Sequence, residues 1–97
     1  MNSKNKYIDL LHQFTINYGN EYGITKIGIF GSVARGSYNN DSDIDIFYEG
    51  QPIGLLDNRD LKSHLENYLK RPIDLVRNHK YINPSLLKHI NNEIIYV

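Results

Sequence analysis

Residues 31–45 read Gly-Ser-Val-Ala-Arg-Gly-Ser-Tyr-Asn-Asn-Asp-Ser-Asp-Ile-Asp, a turn of small residues followed by two aspartates that lie two positions apart. The turn follows an apolar segment. A Gly-Ser turn that leaves a strand and opens a helix offers backbone N–H groups and a hydroxyl to an anion. The sequence therefore predicts a phosphate-binding turn at Gly31 and Ser32.

The two aspartates, Asp43 and Asp45, belong to a segment that alternates acidic and apolar residues over 43–47. The two-residue period of a strand places both carboxylates on one face and the isoleucines on the other. Neighbouring carboxylates repel each other and favour a divalent cation between them, and oxygen ligands suit Mg²⁺ or Mn²⁺ better than zinc. Taken alone, the pair is also compatible with the solvated face of an edge strand.

A third carboxylate is expected from another strand, because two-metal phosphoryl chemistry needs enough oxygen ligands and a base near the nucleophile. Asp74 is the candidate. It alternates with Ile73 and Leu75, so its side chain is predicted to point to the face opposite those two residues.

Length and composition limit the possible classes of protein. The 97 residues have room for one compact domain over 1–97, and the formal net charge is zero. A long nucleic-acid track or an anionic membrane is therefore not expected as the main partner. No apolar run approaches the roughly 20 residues of a spanning helix, and no signal peptide is recognisable, so a cytoplasmic location is the default expectation.

Apolar spacing and breaker residues predict helices and strands in the order α-β-(short α)-β-α-β-α-β, an α/β arrangement in which helices pack against a sheet. A cap near Asp57 and a turn that contains Pro52 are expected before the third helix. The predicted elements are a helix over about 5–21, a strand over 24–30, a helical turn over 33–36, a strand over 43–48, a helix that ends at 70–72, a strand over 73–77, a helix that opens at Asn83-Pro84 and an edge strand over 94–97.

Together, these motifs resemble the DNA polymerase beta-like nucleotidyltransferase superfamily, whose pattern is Gly-Ser, a short spacer, Asp-x-Asp and a later acid on a strand. The closer similarity is to the minimal nucleotidyltransferases (MNT), the antitoxins paired with HEPN ribonuclease toxins. Segments 31–36, 42–46 and 73–76 carry the resemblance, which extends over nearly the whole chain. It implies a nucleotidyltransferase fold, α/β (α+β), with a small mixed sheet flanked by helices.

The resemblance also implies roles for the motif residues. Gly31 and Ser32 would hold the triphosphate of ATP, and Asp43 and Asp45 would coordinate two Mg²⁺ ions. Asp74 would bind one metal ion and help to deprotonate the attacking hydroxyl.

Two further residues and one segment near the C-terminus are left with open or minor roles. Arg35 is assigned to the nucleotide site, but it lies either near the phosphates or pairs with Asp41 to brace the loop, and both interpretations stay open. Tyr38 is a candidate contact for a base or an acceptor. At 92–94 the chain reads Asn-Glu-Ile, where the family is expected to carry glycine after the glutamate; this difference is interpreted as touching the last turn and not the site.

The function that the resemblance implies is transfer of AMP from ATP to a hydroxyl, a tyrosine of a partner HEPN toxin, which silences that toxin. An alternative is a non-catalytic antitoxin that neutralises its partner by forming a complex. A second alternative is a small-molecule transferase similar to the aminoglycoside nucleotidyltransferases, against which the lack of a helical acceptor domain argues. Three intact acids favour the enzyme, because a purely structural antitoxin has no need to keep repelling carboxylates together. A hetero-oligomer or homo-oligomer is expected to complete the acceptor pocket, and no direct nucleic-acid contact is expected.

Overall fold

The computed structural model describes residues 3–51 and 58–97, so the predicted cap at Asp57 and the turn at Pro52 lie outside the described residues. Helices and strands follow each other in the predicted order. In chain order they are α1 (Ser3–Tyr18), β1 (Ile24–Phe30), α2 (Gly31–Arg35), β2 (Ile44–Gly50), α3 (Asn58–Leu69), β3 (Ile73–Arg77), α4 (Pro84–Glu93) and β4 (Ile95–Tyr96).

The bounds of some elements, among them the first helix and the second strand, differ from the predictions. The first helix ends at Tyr18, earlier than expected, because residues 19–23 form successive turns in which N–H groups bond to carbonyls three residues back. Gly23 ends this segment with a positive φ of 64°. The second strand begins at Ile44, one residue after the predicted start at Asp43. β1 and β3 have the predicted bounds.

The four strands of the described chain form one mixed sheet in the order β3-β2-β1-β4. β1 runs antiparallel to β2 and β4, whereas β2 and β3 are parallel. A parallel pair needs a crossover connection, which α3 supplies here. Phe30 at the end of β1 pairs with Asp45, and Asp45 pairs with Asp74. The turn that follows β1 therefore begins beside the starts of both acid-bearing strands.

The two faces of the sheet are covered unequally. α1 and α3 cover one face, whereas the other face has a small cluster of Phe30, Phe47 and Ile90, the last of these from α4. Asp45 and Asp74 alternate with residues of the larger cluster, so both emerge on the face that carries Phe47. The buried members of the larger cluster are Tyr7, Leu11, Phe14, Ile27, Ile29, Val33, Ile44, Ile46, Tyr48, Leu61, Leu65, Leu69 and Ile73.

The last helix begins as the sequence predicts. The Asn83 side chain accepts hydrogen bonds from the N–H groups of Ser85 and Leu86, and Pro84 occupies the first helical position. This cap satisfies donors that would otherwise lack a partner within the helix. A membrane-crossing helix, long and apolar enough to span a bilayer, is not found in the part of the chain that the structure describes.

Candidate active site

Asp45 and Asp74 form the centre of the candidate site. They are paired residues on the adjacent parallel strands β2 and β3. The pKa of Asp45 is raised to about 6, first by burial, then by the charge of Asp74 and a hydrogen bond with it, and then by the charge of Asp43, while the Arg35 charge acts in the opposite direction. Two carboxylates this close cannot both carry a full negative charge without compensation. The pair is therefore suited to sharing a proton or to binding a cation.

Asp43 lies immediately before β2 and is exposed to solvent. The prediction that it lies inside the strand is wrong by one residue, because the ladder begins at Ile44, whose N–H bonds to the Pro72 carbonyl. Its charge still contributes to the raised pKa of Asp45. Over residues 3–51 and 58–97, no three His, Cys, Asp or Glu side chains converge closely enough to hold a metal ion. The three acids are thus neighbours, but within the described residues they do not form a ready three-carboxylate metal site.

Gly31 brings the predicted phosphate-binding turn against the acids. Its φ is +72°, and a Cβ at this position would overlap Asp45 Oδ2 and lie 2.8 Å from Asp45 Cγ. Positive φ favours glycine, and the close approach leaves no space for a side chain. The turn and the Asp45 carboxylate are therefore fitted to each other, with Ser32 as the next residue along the chain.

Glu93, the last residue of α4, binds both the turn and Arg35. Glu93 Oε1 accepts a hydrogen bond of 2.9 Å from the Gly31 N–H. Arg35 Nη1 donates to Glu93 Oε2 at 2.9 Å and to Oε1 at 3.2 Å, and His89 Nε2 lies 3.4 Å from Oε1. Burial acts to raise the pKa of Glu93, but the hydrogen bonds from Arg35 and Gly31 outweigh it and lower that pKa.

These contacts exclude one of the two interpretations left open for Arg35. It pairs with Glu93 and not with Asp41. Glu93 itself was assigned no role from the sequence, yet its carboxylate bonds to the first residue of the turn. Gly31 and Glu93 are 62 residues apart in sequence. The only sequence signal for Glu93 was the family departure at 92–94.

A second arginine, Arg71, holds the loop that precedes Asp43. Its guanidinium donates to the carbonyls of Asn40 and Ser42, the latter at 3.1 Å. It also lies over the Tyr38 ring at 5.7 Å, and the Tyr38 hydroxyl is 3.3 Å from that of Tyr7. Tyr38 is therefore packed against the protein, and its predicted contact with a base or an acceptor stays a prediction. Arg71 lies where the predicted helix ends at 70–72, and no sequence pattern marked it for this role.

Comparison with known proteins places this geometry in context. Residues 13–97 match the family described as Polymerase beta, Nucleotidyltransferase. The protein adenylyltransferase MntA of Thermococcus cleftensis is 35% identical over 77 residues, which covers 78% of this chain and 77% of that relative.

Solved structures of toxin–antitoxin complexes contain chains with the same fold. A chain of a toxin–antitoxin crystal structure with AMP-PNP superposes with a TM-score of 0.67 at 27% identity, covering 97% of this chain and 71% of that one. A chain of a complex between a tri-AMPylated Shewanella oneidensis HEPN toxin and an MNT antitoxin gives a TM-score of 0.57 at 25% identity, covering 96% and 66%.

Proposed function

The chain belongs to the polymerase beta nucleotidyltransferase family, and on this premise we propose that it is an antitoxin that transfers AMP from ATP to a hydroxyl of a partner HEPN toxin. The acceptor in this proposal is a tyrosine of that toxin. Support comes from the Thermococcus cleftensis relative, a protein adenylyltransferase, and from the fold shared with a chain of a complex that contains an AMPylated HEPN toxin.

The observation that carries the proposal is the pairing of Asp45 with Asp74 beside the Gly31 turn. Paired acids alone, or a Gly-Ser turn alone, are common features of proteins. Here the turn approaches Asp45 so closely that only glycine fits, and Asp74 is the direct neighbour of Asp45 on the next strand. A triphosphate on the turn would therefore have its phosphorus atoms close to carboxylates that need a cation.

Mg²⁺ fits the donor set in this proposal, since every candidate ligand is a carboxylate oxygen. Asp43, Asp45 and Asp74 would hold two Mg²⁺ ions, and Asp43 would have to turn toward the other two. Metal held by these acids would supply charge neutralisation at the α-phosphate and at the leaving group. The raised pKa of Asp45 is consistent with this assignment, because burial and, after it, the negative charges of Asp74 and Asp43 all disfavour a bare carboxylate there.

The chain's own residues orient the reactants. Gly31, Ser32 and Arg35 would hold the triphosphate in line with the acceptor. The acceptor oxygen forms a bond to the α-phosphorus, the bond from that phosphorus to the bridging oxygen breaks, and pyrophosphate leaves. Asp74 would accept the hydroxyl proton, and the released proton passes from it to solvent. One AMP is added to the partner for each ATP consumed.

The test is the intact mass of the partner toxin after co-expression with this chain. A mass gain in whole AMP units is expected with the native chain and is expected to vanish with the Asp43→Ala, Asp45→Ala double variant. Asp9→Ala is the matched control, because Asp9 is an exposed acid on α1, outside the site. Mass spectrometry of peptides then identifies the modified residue.

Two outcomes would contradict the proposal. An unmodified toxin that still forms a stable, non-toxic complex with the native chain would establish the non-catalytic antitoxin instead. Unchanged modification by the double variant would refute the assignment of the acids. A dependence on added Mg²⁺ in the purified reaction is expected, and full activity in excess chelator would refute the metal assignment.

A further inference from the structure

The C-terminal end of α4 is bound to the candidate nucleotide site through one carboxylate. We propose that Glu93 is a positioning residue for nucleoside triphosphate binding, which fixes the Gly31 turn and orients the Arg35 guanidinium toward the phosphates. This inference rests on the proposed function, because it assumes that the turn binds a triphosphate. It assigns to the nucleotide site a residue that lies far from the Gly-Ser and Asp-x-Asp motifs in sequence.

The contacts identify Glu93 as the fixed member of the ion pair. Its side chain is 15% exposed, whereas that of Arg35 is 50% exposed. Glu93 is anchored by the Gly31 N–H as well as by Arg35. Arginine carries five N–H donors, and this ion pair engages Nη1. Nε and Nη2 are not engaged by this pair, so they can meet an anion while the carboxylate holds Nη1 in place.

The neighbouring charges explain why Arg35 needs such an anchor. Its positive charge acts on Asp45, so a second carboxylate lies within its electrostatic reach. Without Glu93, the guanidinium would be attracted toward the acid that is assigned to the metal, and it would neutralise a ligand instead of a phosphate. Glu93 accepts direct hydrogen bonds from Arg35, at 2.9 and 3.2 Å. Both hydrogen bonds are charge-assisted and use Nη1, so they fix the position of this nitrogen beside the turn.

The same contacts are also compatible with a role in which Glu93 weakens nucleotide binding. The Gly31 N–H that Glu93 occupies is one of the donors that the turn would offer to a phosphate. If Glu93 acted as a competing anion, its removal would strengthen nucleotide binding. The positioning role requires that its removal weakens binding. The sign of the change in affinity therefore distinguishes the two roles.

The experiment measures the Kd of AMP-PNP with Mg²⁺ for the isolated chain by calorimetric titration. Glu93→Ala is expected to weaken binding by about tenfold, the scale of coupling between contacting charged residues. Glu93→Gln keeps an acceptor for the Gly31 N–H but loses the charge, so an intermediate Kd is expected. Glu21→Ala is the matched control, since Glu21 is an exposed glutamate that precedes the opposite end of β1; its Kd should equal that of the native chain.

A double-mutant cycle with Arg35→Ala tests whether Glu93 acts through the arginine. The combined variant should bind AMP-PNP more tightly than the product of the two single effects predicts. Each variant is also compared with the native chain by its urea unfolding midpoint, and Glu93→Gln provides the test if Glu93→Ala does not fold.

Each outcome of the titration decides between the claims. If the native chain binds AMP-PNP and either Glu93→Ala or Glu93→Gln binds it with the same or a lower Kd, the positioning role is refuted. The proposed function is not affected by that result. Strictly multiplicative effects in the cycle refute action through Arg35. A native chain that binds no AMP-PNP at all refutes the proposed function together with this inference.

Discussion

Replacement of Gly31 by alanine should separate catalytic damage from simple loss of stability. The chain offers an internal control in Gly36, which also has a left-handed backbone, with φ of +79° against +72° for Gly31. A Cβ on Gly36 meets nothing within 4 Å, whereas a Cβ on Gly31 would overlap the Asp45 carboxylate. Both Gly31→Ala and Gly36→Ala therefore place alanine in a left-handed backbone conformation, which costs stability. Only Gly31→Ala also creates a steric overlap.

The magnitudes follow from these two costs. A left-handed non-glycine residue costs about 1–2 kcal/mol, offset by about 0.4–1 kcal/mol because alanine restricts the unfolded chain. Gly36→Ala should thus destabilise the fold by roughly 1 kcal/mol. In Gly31→Ala, the Asp45 side chain must also leave its position, which adds about 0.5–1.5 kcal/mol for a distorted side-chain torsion. The expected total for Gly31→Ala is about 2 kcal/mol.

Gly31→Ala and Gly36→Ala should differ much more in the rate of AMP transfer than in stability. A displacement of about 1 Å at a reacting centre can cost on the order of 100-fold in rate. Gly31→Ala should therefore lose about that factor in kcat/KM, because its Cβ displaces the Asp45 carboxylate from its position. Gly36→Ala should stay within about threefold of the native rate. The assay is purified AMP transfer to the toxin, measured beside urea unfolding of each variant.

Two results would refute this reasoning. Equal loss of transfer in both variants would show that backbone strain, and not displacement of Asp45, is responsible. A Gly31→Ala variant with native transfer would show that the turn and the carboxylate do not depend on each other. A crystal structure of Gly31→Ala should show the Asp45 carboxylate rotated away from the turn.

Two further predictions concern the acids. Since the raised pKa of Asp45 means that the folded chain holds this proton more tightly than the unfolded chain, its stabilising contribution is complete below about pH 4 and is lost as the pH rises through about 6. Asp45→Asn should stabilise the metal-free chain by about 1 kcal/mol at pH 8, allowing for solvent screening, and hardly at pH 4; equal gains in Tm at both values would contradict this. Asp74→Asn should lose turnover more than AMP-PNP affinity, and equal losses would count against its role as base.

Local sequence patterns predict the strands and the motif residues well. β1 and β3 are short segments rich in apolar and β-branched residues. The Asp-x-Asp alternation places Asp45 on the face opposite the buried isoleucines, as the structure confirms. The direct pairing of Asp45 with Asp74 was not predictable from periodicity alone. It depends on the register of two strands joined by a crossover, which no local pattern specifies.

Long-range contacts made by single long side chains could not be predicted from the sequence. Glu93 reaches Gly31 and Arg35 over 62 and 58 residues of chain, and Arg71 reaches the loop before Asp43 in the same way. Charged residues at helix ends normally meet solvent, so nothing in their spacing marks them as part of a site. Only the folded topology brings α4 to the turn.

The unequal covering of the sheet has a consequence for local unfolding. Amide hydrogens exchange with solvent through openings whose free energy depends on how much apolar surface must be exposed. Within the described residues, the cluster under α4 has three buried side chains, whereas the cluster under α1 and α3 has thirteen. α4 should therefore detach from the sheet at a lower free energy than that needed to open the sheet itself. Each such opening would release the Gly31 amide from Glu93. Exchange at Gly31 should then follow the rate of α4 and not that of β1, so the turn and the last helix form one cooperative unit.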